Sequence, residues 1–411
     1  MQNQIPKNWQ SSSLSSLAHI TLGGTPSRSE SSYWNGDIKW LAIQDIINAG
    51  GRFIREVSEG ITQEGLKNSA AKLLPKDTIV LSSRGTVGEM GLLFEPMAFN
   101  QSCYGLFTKD QEKFNQIFLY YKLKEEIRKL KGLAHGGVFD TFTKTTFDQI
   151  DIIYPENIDE QKRIVKILSA FDDEIEVNNK IAKTLGEMAQ TLFKEWLIKF
   201  KFPGYEKAEF VGSELGRIPK DWKVGFIKDL GKVITGKTPS TEDKKNFGSE
   251  IPFITIPDLN SVFVIEAERY LSKKGSEKMQ NMLLPARSIC VSCIATVGLV
   301  GITTQQSLTN QQVNSIIPNK EELTYFLYIY FKNKKKDLEL FGSGGTATLI
   351  INKTKFENLD LIIPDKHTLK DFHSMVKPMY EKILIITKEN QKLAALRDLL
   401  LPKLMRGEVR V

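Results

Sequence analysis

Ile5-Pro-Lys-Asn-Trp9 returns 213 residues later as Ile218-Pro-Lys-Asp-Trp222. Further matches follow in the same order, and their offset drifts only between 213 and 208 residues. They include Gly24-Thr-Pro-Ser27 with Lys237-Thr-Pro-Ser240, Thr86-Val-Gly-Glu-Met-Gly91 with Thr296-Val-Gly-Leu-Val-Gly301, Asn100-Gln101 with Asn310-Gln311, and Ile152-Ile-Tyr-Pro155 with Leu361-Ile-Ile-Pro364. Because this period is far too long for a solenoid, the repeat indicates a duplicated domain.

Each copy has the pattern of a mixed α and β domain. Apolar runs that lead into glycine turns predict buried strands at 78–83 and 288–293. Amphipathic helices with basic faces are predicted at 114–131 and 323–340. The Thr-Val-Gly-x-x-Gly blocks are interpreted as tight turns in which glycine supplies the backbone conformation.

A long helix is predicted after each copy. In the first, a seam with alternating spacings of four and three runs from Ile164 to Trp196, within a helix from Asp159 to about Phe200. In the second, the seam runs from Phe372 to Leu393, and Leu396 and Leu400 are expected to continue it. Pro378 is expected to kink the second helix or to mark its start.

Each seam contains one asparagine, Asn178 in the first and Asn390 in the second. A lone helix of this length cannot bury its apolar stripe, so pairing the two helices is the simplest arrangement. A buried polar residue in such a seam costs stability but fixes register, and we expect the asparagines to align the helices. The alternative is that each is merely partly solvated. Two equivalent modules at a fixed separation are suited to binding two segments of one DNA duplex. The duplex repeats about every 34 Å, so the separation of the modules fixes the distance between the two segments.

The composition is that of an ordinary soluble protein. The 411 residues include 41% hydrophobic and 26% charged residues, and the formal net charge of +7 is compatible with a polyanionic partner. The polar start is unlike a secretory signal, and the longest apolar run falls short of a membrane span of about 18–20 residues. Three cysteines make a disulfide framework improbable, so we expect a reducing cytoplasm and no membrane contact.

Three other motifs have residues typical of catalytic or metal sites. Cys290-Val-Ser-Cys293 suggests redox or zinc chemistry, but its counterpart Val80-Leu-Ser-Ser83 has no cysteine, which favours a buried strand. His135-Gly-Gly137 lacks a nucleophile elbow and is interpreted as a loop, either near DNA or a plain turn. Pro257-Asp258 is interpreted as turn chemistry rather than as part of a nuclease carboxylate cluster. No Walker A loop or amino-methyltransferase motif is found in the sequence, so no catalytic residue and no metal ligand is predicted.

The chain resembles the specificity subunits of type I restriction–modification systems. The resemblance is carried by three stretches: Ser213-Glu-Leu-Gly-Arg-Ile-Pro-Lys-Asp-Trp222, Glu160-Gln-Lys-Arg-Ile-Val-Lys-Ile-Leu168 with Leu192-Phe-Lys-Glu-Trp196, and Arg397-Asp-Leu-Leu-Leu-Pro-Lys-Leu-Met-Arg-Gly407. It covers the whole chain. One departure is the start of the second helix, Asp365-Lys-His-Thr-Leu-Lys370, which makes docking contacts there uncertain.

The resemblance implies an α+β fold: two homologous mixed α/β target-recognition domains separated by two long helices that form an antiparallel coiled coil. The expected boundaries are 1–155 and 203–364 for the recognition domains, and 156–202 and 365–411 for the helices. Each domain is expected to read one half of a split site in double-stranded DNA. The helices are expected to set the spacer and to dock two methyltransferase subunits, which motor-nuclease subunits join. No cofactor is expected on this chain, with S-adenosylmethionine, ATP and Mg²⁺ in the partners.

DNA-reading positions are expected where the two copies differ, because modules that read different half-sites share a scaffold and differ at their loops. Arginine suits guanine, and asparagine or glutamine suits adenine, by bidentate geometry. The candidates are Arg28, Lys39, Arg84 and His135 in the first copy, and Lys237, Lys244, Lys245, Asn260, Gln305 and Gln306 in the second. The shared Asn100, Gln101, Asn310 and Gln311 are included and are expected to support the loop or bind the DNA backbone.

The basic faces of the predicted helices are possible phosphate contacts or plain solvated surfaces. Their cations are Lys122, Lys124, Arg128 and Lys129 in the first copy, and Lys332, Lys334, Lys335 and Lys336 in the second. The alternatives to a DNA-specificity subunit are an assembly scaffold that binds only protein and a self-contained nuclease or methyltransferase.

Overall fold

The computed structural model describes residues 6–133, 141–342 and 350–411. The chain forms two compact units, one made of residues 1–180 and 389–411 and the other of residues 181–388. Each unit therefore contains one copy of the repeat together with a segment of each long helix. Within the described ranges, no helix is both long and apolar enough to cross a membrane.

The first copy is a mixed α/β module. Its strands are β1 (Trp9–Ser13), β2 (Ala18–Leu22), β3 (Trp34–Leu41), β4 (Phe53–Ile54), β5 (Glu59–Ile61), β6 (Ile79–Ser82), β7 (Met90–Leu93), β8 (Ala98–Phe99), β9 (Cys103–Thr108) and β10 (Asp151–Pro155). Its helices are α1 (Leu14–Leu17), α2 (Ile43–Asn48), α3 (Gln63–Lys67), α4 (Gln116–Leu133) and α5 (Lys144–Asp148), with a 3-10 turn at Ser31–Tyr33. The strands form sheets in the orders β2-β9-β6-β7-β4, β5-β3-β8 and β1-β10.

The long helix α6 (Ile158–Phe193) follows β10 and continues as a π-helical segment at Lys194–Ile198. This confirms the helix predicted from Asp159 to about Phe200. Its first turn is capped by Asn157, whose Oδ1 accepts a hydrogen bond from the Asp159 amide at 2.7 Å.

The second copy repeats the architecture of the first. Its strands are β11 (Phe210–Ser213), β12 (Gly216–Pro219), β13 (Lys223–Phe226), β14 (Gly231–Thr235), β15 (Phe247–Ile254), β16 (Phe263–Val264), β17 (Tyr270–Leu271), β18 (Ile289–Ser292), β19 (Val300–Thr303), β20 (Leu308–Thr309), β21 (Val313–Pro318) and β22 (Asp360–Ile363). Its helices are α7 (Ile227–Leu230), α8 (Lys273–Glu277), α9 (Leu323–Asn333), α10 (Lys335–Gly342) and α11 (Lys353–Glu357), with 3-10 turns at Tyr205–Lys207, Lys244–Asn246, Ile256–Asn260 and Gln280–Met282. The orders β14-β21-β18-β19-β16, β17-β15-β20 and β13-β22 match those of the first copy, and the hairpin β11-β12 precedes them.

The second long helix, α12 (Lys366–Met405), runs without a break past Pro378, so that proline does not mark its start. Asp365 caps it: Oδ1 accepts from the amides of His367 and Thr368 at 2.8 and 3.1 Å. Burial alone would raise the pKa of Asp365, but hydrogen bonds from Thr368, His367 and Trp222 hold it below its ordinary value. The unusual start of this helix is thus still a well-formed N-terminus.

The repeated Ile-Pro-Lys-Asx-Trp motif ties each module to the helix that follows it. The indole Nε1 of Trp9 donates to Glu160 Oε1 at 3.0 Å, and that of Trp222 donates to Asp365 Oδ2 at 3.1 Å. Both tryptophans are buried in the apolar core of their own unit. The motif that reveals the duplication is therefore a joint between module and helix.

The helices run antiparallel within each unit. In the first unit Asn178 bonds to Asn390 and Asp172 to Arg397, so residue numbers rise along one helix as they fall along the other. In the second unit Phe193 packs edge-on against Phe372 with ring centroids 5.9 Å apart. The predicted seam is wrong at one position, because Leu396 is 48% exposed while Leu401, Leu404 and Met405 are buried. Arg397 takes the inward position instead.

Helix 323–340 is also more complex than predicted. The structure divides it into α9 and α10, which meet at Lys334. Eight residues of α9 are buried, so α9 is a core helix rather than an amphipathic surface helix.

Candidate nucleic-acid interface

In both modules a threonine that follows a glycine turn bonds to a turn that contains an Asn-Gln pair. This arrangement is here called the Thr-Gln frame. In the first, Thr25 Oγ1 donates to Gln101 Oε1; in the second, Thr238 Oγ1 donates to Gln311 Oε1 at 2.5 Å. The glycine before each threonine loop packs directly on the Asn-Gln turn: a Cβ at Gly23 would lie 2.1 Å from Asn100 O, and one at Gly236 would lie 2.2 Å from Asn310 O. No side chain larger than hydrogen fits at these glycines, which is why both copies keep them.

The asparagines close their own turns. Asn100 Oδ1 accepts from the Ser102 amide at 3.1 Å, and Asn310 Oδ1 accepts from the Gln312 amide at 3.0 Å. Each asparagine thus holds the turn that carries its own Asn-Gln pair.

A second turn lies beside this frame. The Ser83 amide donates to Ser102 O, and the equivalent Cys293 amide donates to Gln312 O, both at 2.7 Å. The residue that follows is Arg84 in one module and Ile294 in the other. Arg84 is exposed, and no hydrogen bond or ion pair is found for it within the described residues. The two frames are therefore alike in backbone and unlike in chemistry at this position.

The Thr-Val-Gly-x-x-Gly blocks are tight turns, as predicted. Gly88 and Gly298 have φ angles of +83° and +84°, which side-chain-bearing residues rarely adopt. Their amides donate to the carbonyls of Ser82 and Ser292 at 3.0 and 2.9 Å. The turns fix where Arg84 and Ile294 lie.

The structure does not bring every candidate to this frame. Arg28 forms a two-pronged ion pair with Glu59, and its guanidinium stacks 3.6 Å from the Trp34 ring centroid. The ion pair raises the pKa of Arg28 and lowers that of Glu59, in each case mainly through the side-chain hydrogen bond. Lys39 is paired with Glu95 at 2.6 Å and donates to Arg55 O. Both cations therefore have protein partners.

In the second module the candidates lie in three separate places. Lys237 lies in the frame, its amide donating to Thr309 O at 2.9 Å. The exposed Lys244 and Lys245 belong to the 3-10 turn that Asn246 ties to Ser240 O at 2.9 Å. Gln305 and Gln306 follow β19, at the opposite end of the β18–β19 hairpin from Ile294, and Gln305 donates to Ile265 O.

Two further candidates remain. Asn260 is exposed at the end of the 3-10 turn Ile256–Asn260. His135 and the Gly136-Gly137 and Gly344-Gly345 loops lie outside the described residues.

Lys122 is not a phosphate contact, contrary to one interpretation of its helix. Its side chain is 2% exposed and forms ion pairs with Glu125 and Glu126 at 3.1 and 3.2 Å. It also donates to Met405 O at 3.0 Å. Lys129 joins the same cluster, whereas Arg128 and the lysines at 332 and 334–336 are exposed. The sequence could not separate these, because buried and exposed lysines look alike when a helix carries charge on several faces.

The residues behind the other chemical interpretations have structural contacts. Asp258 closes a loop: Oδ2 accepts from the Thr255 amide at 2.7 Å and Oδ1 from the Glu268 amide at 2.9 Å. Asp45 does the same in the first module, bonding the amides of Ala42 and Ser58. Cys290 and Cys293 are buried around β18, and burial raises the pKa of each thiol to about 12, so neither is a reactive thiolate. The described ranges contain no His, Cys, Asp or Glu cluster suited to a metal.

One buried polar network was not predicted from the sequence. Arg52 Nη1 donates to Tyr121 Oη at 3.2 Å, Tyr121 donates to Asp172 Oδ2 at 2.6 Å, and Arg397 donates to Asp172 Oδ1 at 2.5 Å. Burial and the negative charge of Asp172 raise the pKa of Tyr121, which stays a neutral donor. The signal for it was present: strict 4-3 spacing from Asn390 and Leu393 leads to Arg397 rather than to Leu396.

Comparison with known proteins agrees with this architecture. The family model described as the type I restriction modification DNA specificity domain matches residues 6–187 and 219–395. The specificity subunit of the type I restriction enzyme HindI from Haemophilus influenzae is 34% identical, over 72% of this chain and 75% of that protein. The specificity subunit of the type I restriction enzyme MjaIX from Methanocaldococcus jannaschii is 30% identical, over 99% of this chain and 95% of that protein.

A solved structure shows the same fold. The S subunit of a type I restriction–modification system from M. genitalium superposes with a TM-score of 0.56 at 17% identity, covering 98% of this chain and 97% of that one.

Proposed function

The chain belongs to the family of type I restriction modification DNA specificity domains, and from that premise we propose that each of its two modules reads one half of a split site in double-stranded DNA. The chain is then the specificity subunit of a type I restriction–modification complex, a non-catalytic subunit. It selects the site at which other subunits act.

One observation carries the proposal most directly. The two modules share the Thr-Gln frame and its glycine, yet differ beside it, with Arg84 in one and Ile294 in the other. A shared frame with unlike side chains is what two readers of unlike half-sites need, because base identity is read by side chains and not by the scaffold.

Exchange of one module tests this reading. A chain in which residues 1–155 are replaced by those of a relative should recognise a site with one half changed and the other retained. The site itself is obtained by sequencing methylated bases in the host genome. An exchange that alters both halves, or neither, contradicts the modular reading.

Direct binding distinguishes a DNA reader from a scaffold that binds only protein. Affinity for a cognate duplex should fall steeply as the salt concentration rises, because contacts to phosphates release counterions. The slope of log K against the logarithm of the salt concentration measures this dependence. An absence of binding, or an affinity that does not change with salt concentration, would favour the scaffold that binds only protein.

Arg84→Ala should weaken cognate binding more than binding to unrelated duplexes, by about 1–3 kcal/mol if Arg84 reads a base.

The long helices are the proposed site for two methyltransferase subunits, which motor-nuclease subunits join. Several apolar side chains of these helices are half exposed, a state that favours burial against a partner. They include Val177, Met188, Met375, Ile385 and Leu399. S-adenosylmethionine, ATP and Mg²⁺ are placed in those partners, where adenine methylation and cleavage occur. Charged substitutions at Met188 and Ile385 should reduce co-purification of a methyltransferase subunit, whereas substitutions at Glu174 should not.

We also place the spacer between half-sites under the control of the helices. Insertion of a whole heptad into each seam should change the spacer while each half-site is preserved. The heptad keeps the apolar seam in phase, so the variant should still fold.

A further inference from the structure

The segment that leads into β4 docks the first module onto α6. Gly50 O accepts from Asn179 Nδ2 at 2.7 Å, and the Arg52 amide donates to Glu176 Oε1 at 3.1 Å. Gly50 has φ of +65°, and a Cβ on Gly51 would lie 2.8 Å from Glu176 Cγ. The two glycines therefore let the backbone of the module approach the helix closely enough for main-chain hydrogen bonds.

Arg52 extends this contact into the unit. Its side chain is 8% exposed, forms an ion pair with Asp173, and lies 3.2 Å from Glu176 through Nε. Through Tyr121 and Asp172 it is connected to Arg397, whose side chain is 14% exposed. This set of residues, here called the Arg52 clamp, joins the module, including its helix α4, to α6 and α12.

The second module has no such clamp at the equivalent positions. Val262 is the counterpart of Arg52, because their carbonyls accept the same ladder hydrogen bond, from Ile302 and Leu92 respectively. Tyr380 is the counterpart of Asp172, because the two residues are equally far from the first residues of α12 and α6. Tyr380 stacks on Tyr325, with the ring centroids 4.7 Å apart. Val262 packs against the apolar core. The second module has polar contacts to α12 at other positions: Lys377 pairs with Glu321 at 2.5 Å, and Arg287 lies 3.8 Å from Glu381. The residues of the Arg52 clamp itself are not repeated there.

Directional contacts suit the control of orientation. The apolar cluster of the first unit, which includes Phe118, Ile164, Leu168 and Leu404, supplies non-directional attachment. Hydrogen bonds weaken steeply when their atoms move by a fraction of an ångström or bend off line. One added base pair in a spacer moves a half-site by about 3.4 Å and rotates it by about 35°. A displacement of that size at the clamp would break its hydrogen bonds.

We infer that the Arg52 clamp is a determinant of spacer length: it fixes the orientation of the first recognition module on its helices, so that the chain rejects sites whose half-sites are one base pair too close or too far apart. The inference rests on the proposed function. Arg52 and Asn179 act here as positioning residues, since neither needs to touch DNA.

The test uses the complete complex with its methyltransferase subunits and three duplexes that carry both half-sites with the natural spacer, one base pair fewer or one more. Arg52→Met and Asn179→Asp should each lower the preference for the natural spacer about tenfold or more, because the one-base-pair variants become substrates. Discrimination against a base change within either half-site should stay as in the unaltered chain. Lys113→Met is the matched control, since it removes a positive charge from the same module at a side chain that is 85% exposed.

Unchanged spacer preference in both variants, with the natural site still methylated, overturns the inference. If Arg52→Met does not assemble, Asn179→Asp decides alone, because it removes the Nδ2 donor to Gly50 O, keeps the Oδ1 acceptor for Asn390 and leaves the ion pairs of Arg52 in place. A loss of half-site discrimination together with spacer preference also overturns it, since the clamp would then shape the reading surface itself. If the unaltered complex methylates none of the duplexes, the proposed function fails, which is a separate result.

Discussion

Asp45 and Asp258 hold equivalent places in the two modules, and each carboxylate gathers the backbone amides of its own loop. Asp258, which was the candidate for a nuclease carboxylate cluster, thus caps its own loop, as Asp45 does in the first module. Sequence reasoning favoured this outcome for Asp258 because a Pro-Asp dipeptide is common at strand ends and the lysine expected in a nuclease cluster is absent. It could not show which amides the carboxylates bond, since that depends on how each loop folds back on its aspartate.

Replacement of Asp258 should therefore affect stability. Asp258→Ala leaves the amides of Thr255 and Glu268 without their acceptor, and we expect the free energy of unfolding to fall by about 1–3 kcal/mol. Urea denaturation measures this change. Glu266→Ala, at an exposed position nearby, is the control and should change stability little. Equal losses from both substitutions would contradict the capping role.

Glu125 gives the first unit a defined response to acid. Burial alone would raise its pKa, but Lys122, Lys129 and Arg406 together hold the pKa below its ordinary value. Because the pKa is lower in the folded chain than in the unfolded chain, Glu125 stabilises the fold above the unfolded pKa, near 4.3, and this stabilisation is lost as pH falls through the folded pKa.

Glu125→Gln should consequently lower the free energy of unfolding at pH 7 by about 1.5–3 kcal/mol, the range for hydrogen bonds to charged groups. The difference from the unaltered chain should shrink when denaturation is repeated below pH 4. Glu112→Gln, at an exposed site, should give no such dependence. A destabilisation that is the same at both pH values would show that the charge of Glu125 is not responsible.

At the level of elements, periodicity predicted the two long helices and their pairing. It placed Asn178 and Asn390 in their seams, and the structure shows them bonded, with Asn178 Nδ2 donating to Asn390 Oδ1 at 2.9 Å. Asn390 in turn donates to Asn179 Oδ1, also at 2.9 Å. Periodicity failed at Leu396, because a polar residue at the strict seam position, Arg397, was passed over in favour of its apolar neighbour. A pattern of apolar residues cannot reveal a seam position that is filled by a buried ion pair.

The asparagine pair should specify how the helices align. In Asn178→Leu, Asn390 Oδ1 loses its donor, and a seam without that bond tolerates sliding. Spin labels on Glu174 and Gln391 should then report a broader distance distribution by pulsed electron resonance than in the labelled parent. Val177→Leu, on an exposed position of the same turn, should leave the distribution narrow. An unchanged distribution in Asn178→Leu would mean that apolar packing alone sets the register.

For the whole molecule, the sequence predicted a repeat of module plus helix, whereas the compact units are assembled differently. The first unit takes residues 1–180 and completes itself with residues 389–411. Leu401, Leu404 and Met405 lie in its core, and Arg406 pairs with Glu125 at 2.8 Å. Repeat boundaries mark how the gene was duplicated, but burial decides which segments share a core, and burial depends on contacts between residues that are distant in sequence.

Removal of residues 389–411 should therefore unfold the first unit selectively. Three buried apolar side chains at about 1.5–3 kcal/mol each amount to roughly 5–9 kcal/mol, comparable with the stability of a domain. Hydrogen exchange read by mass spectrometry should show loss of protection in α4 and retention in α9. A chain that ends at Gly407 keeps the buried side chains and should be protected in both. Equal loss in α4 and α9 would contradict the division into units.

Because the first unit is made of two separate segments of the chain, its parts are synthesised at different times. Its first 180 residues leave the ribosome long before the segment that fills their core, and at about 5–20 residues per second the wait is roughly 10–40 s. During that interval the apolar surfaces of α4 and α6 that meet Leu401 and Leu404 are uncovered, while the residues of the second unit emerge as one continuous stretch. The nascent chain thus completes its second unit before its first. Synthesis that ends before residue 389 yields a protein in which only the second unit has all its segments.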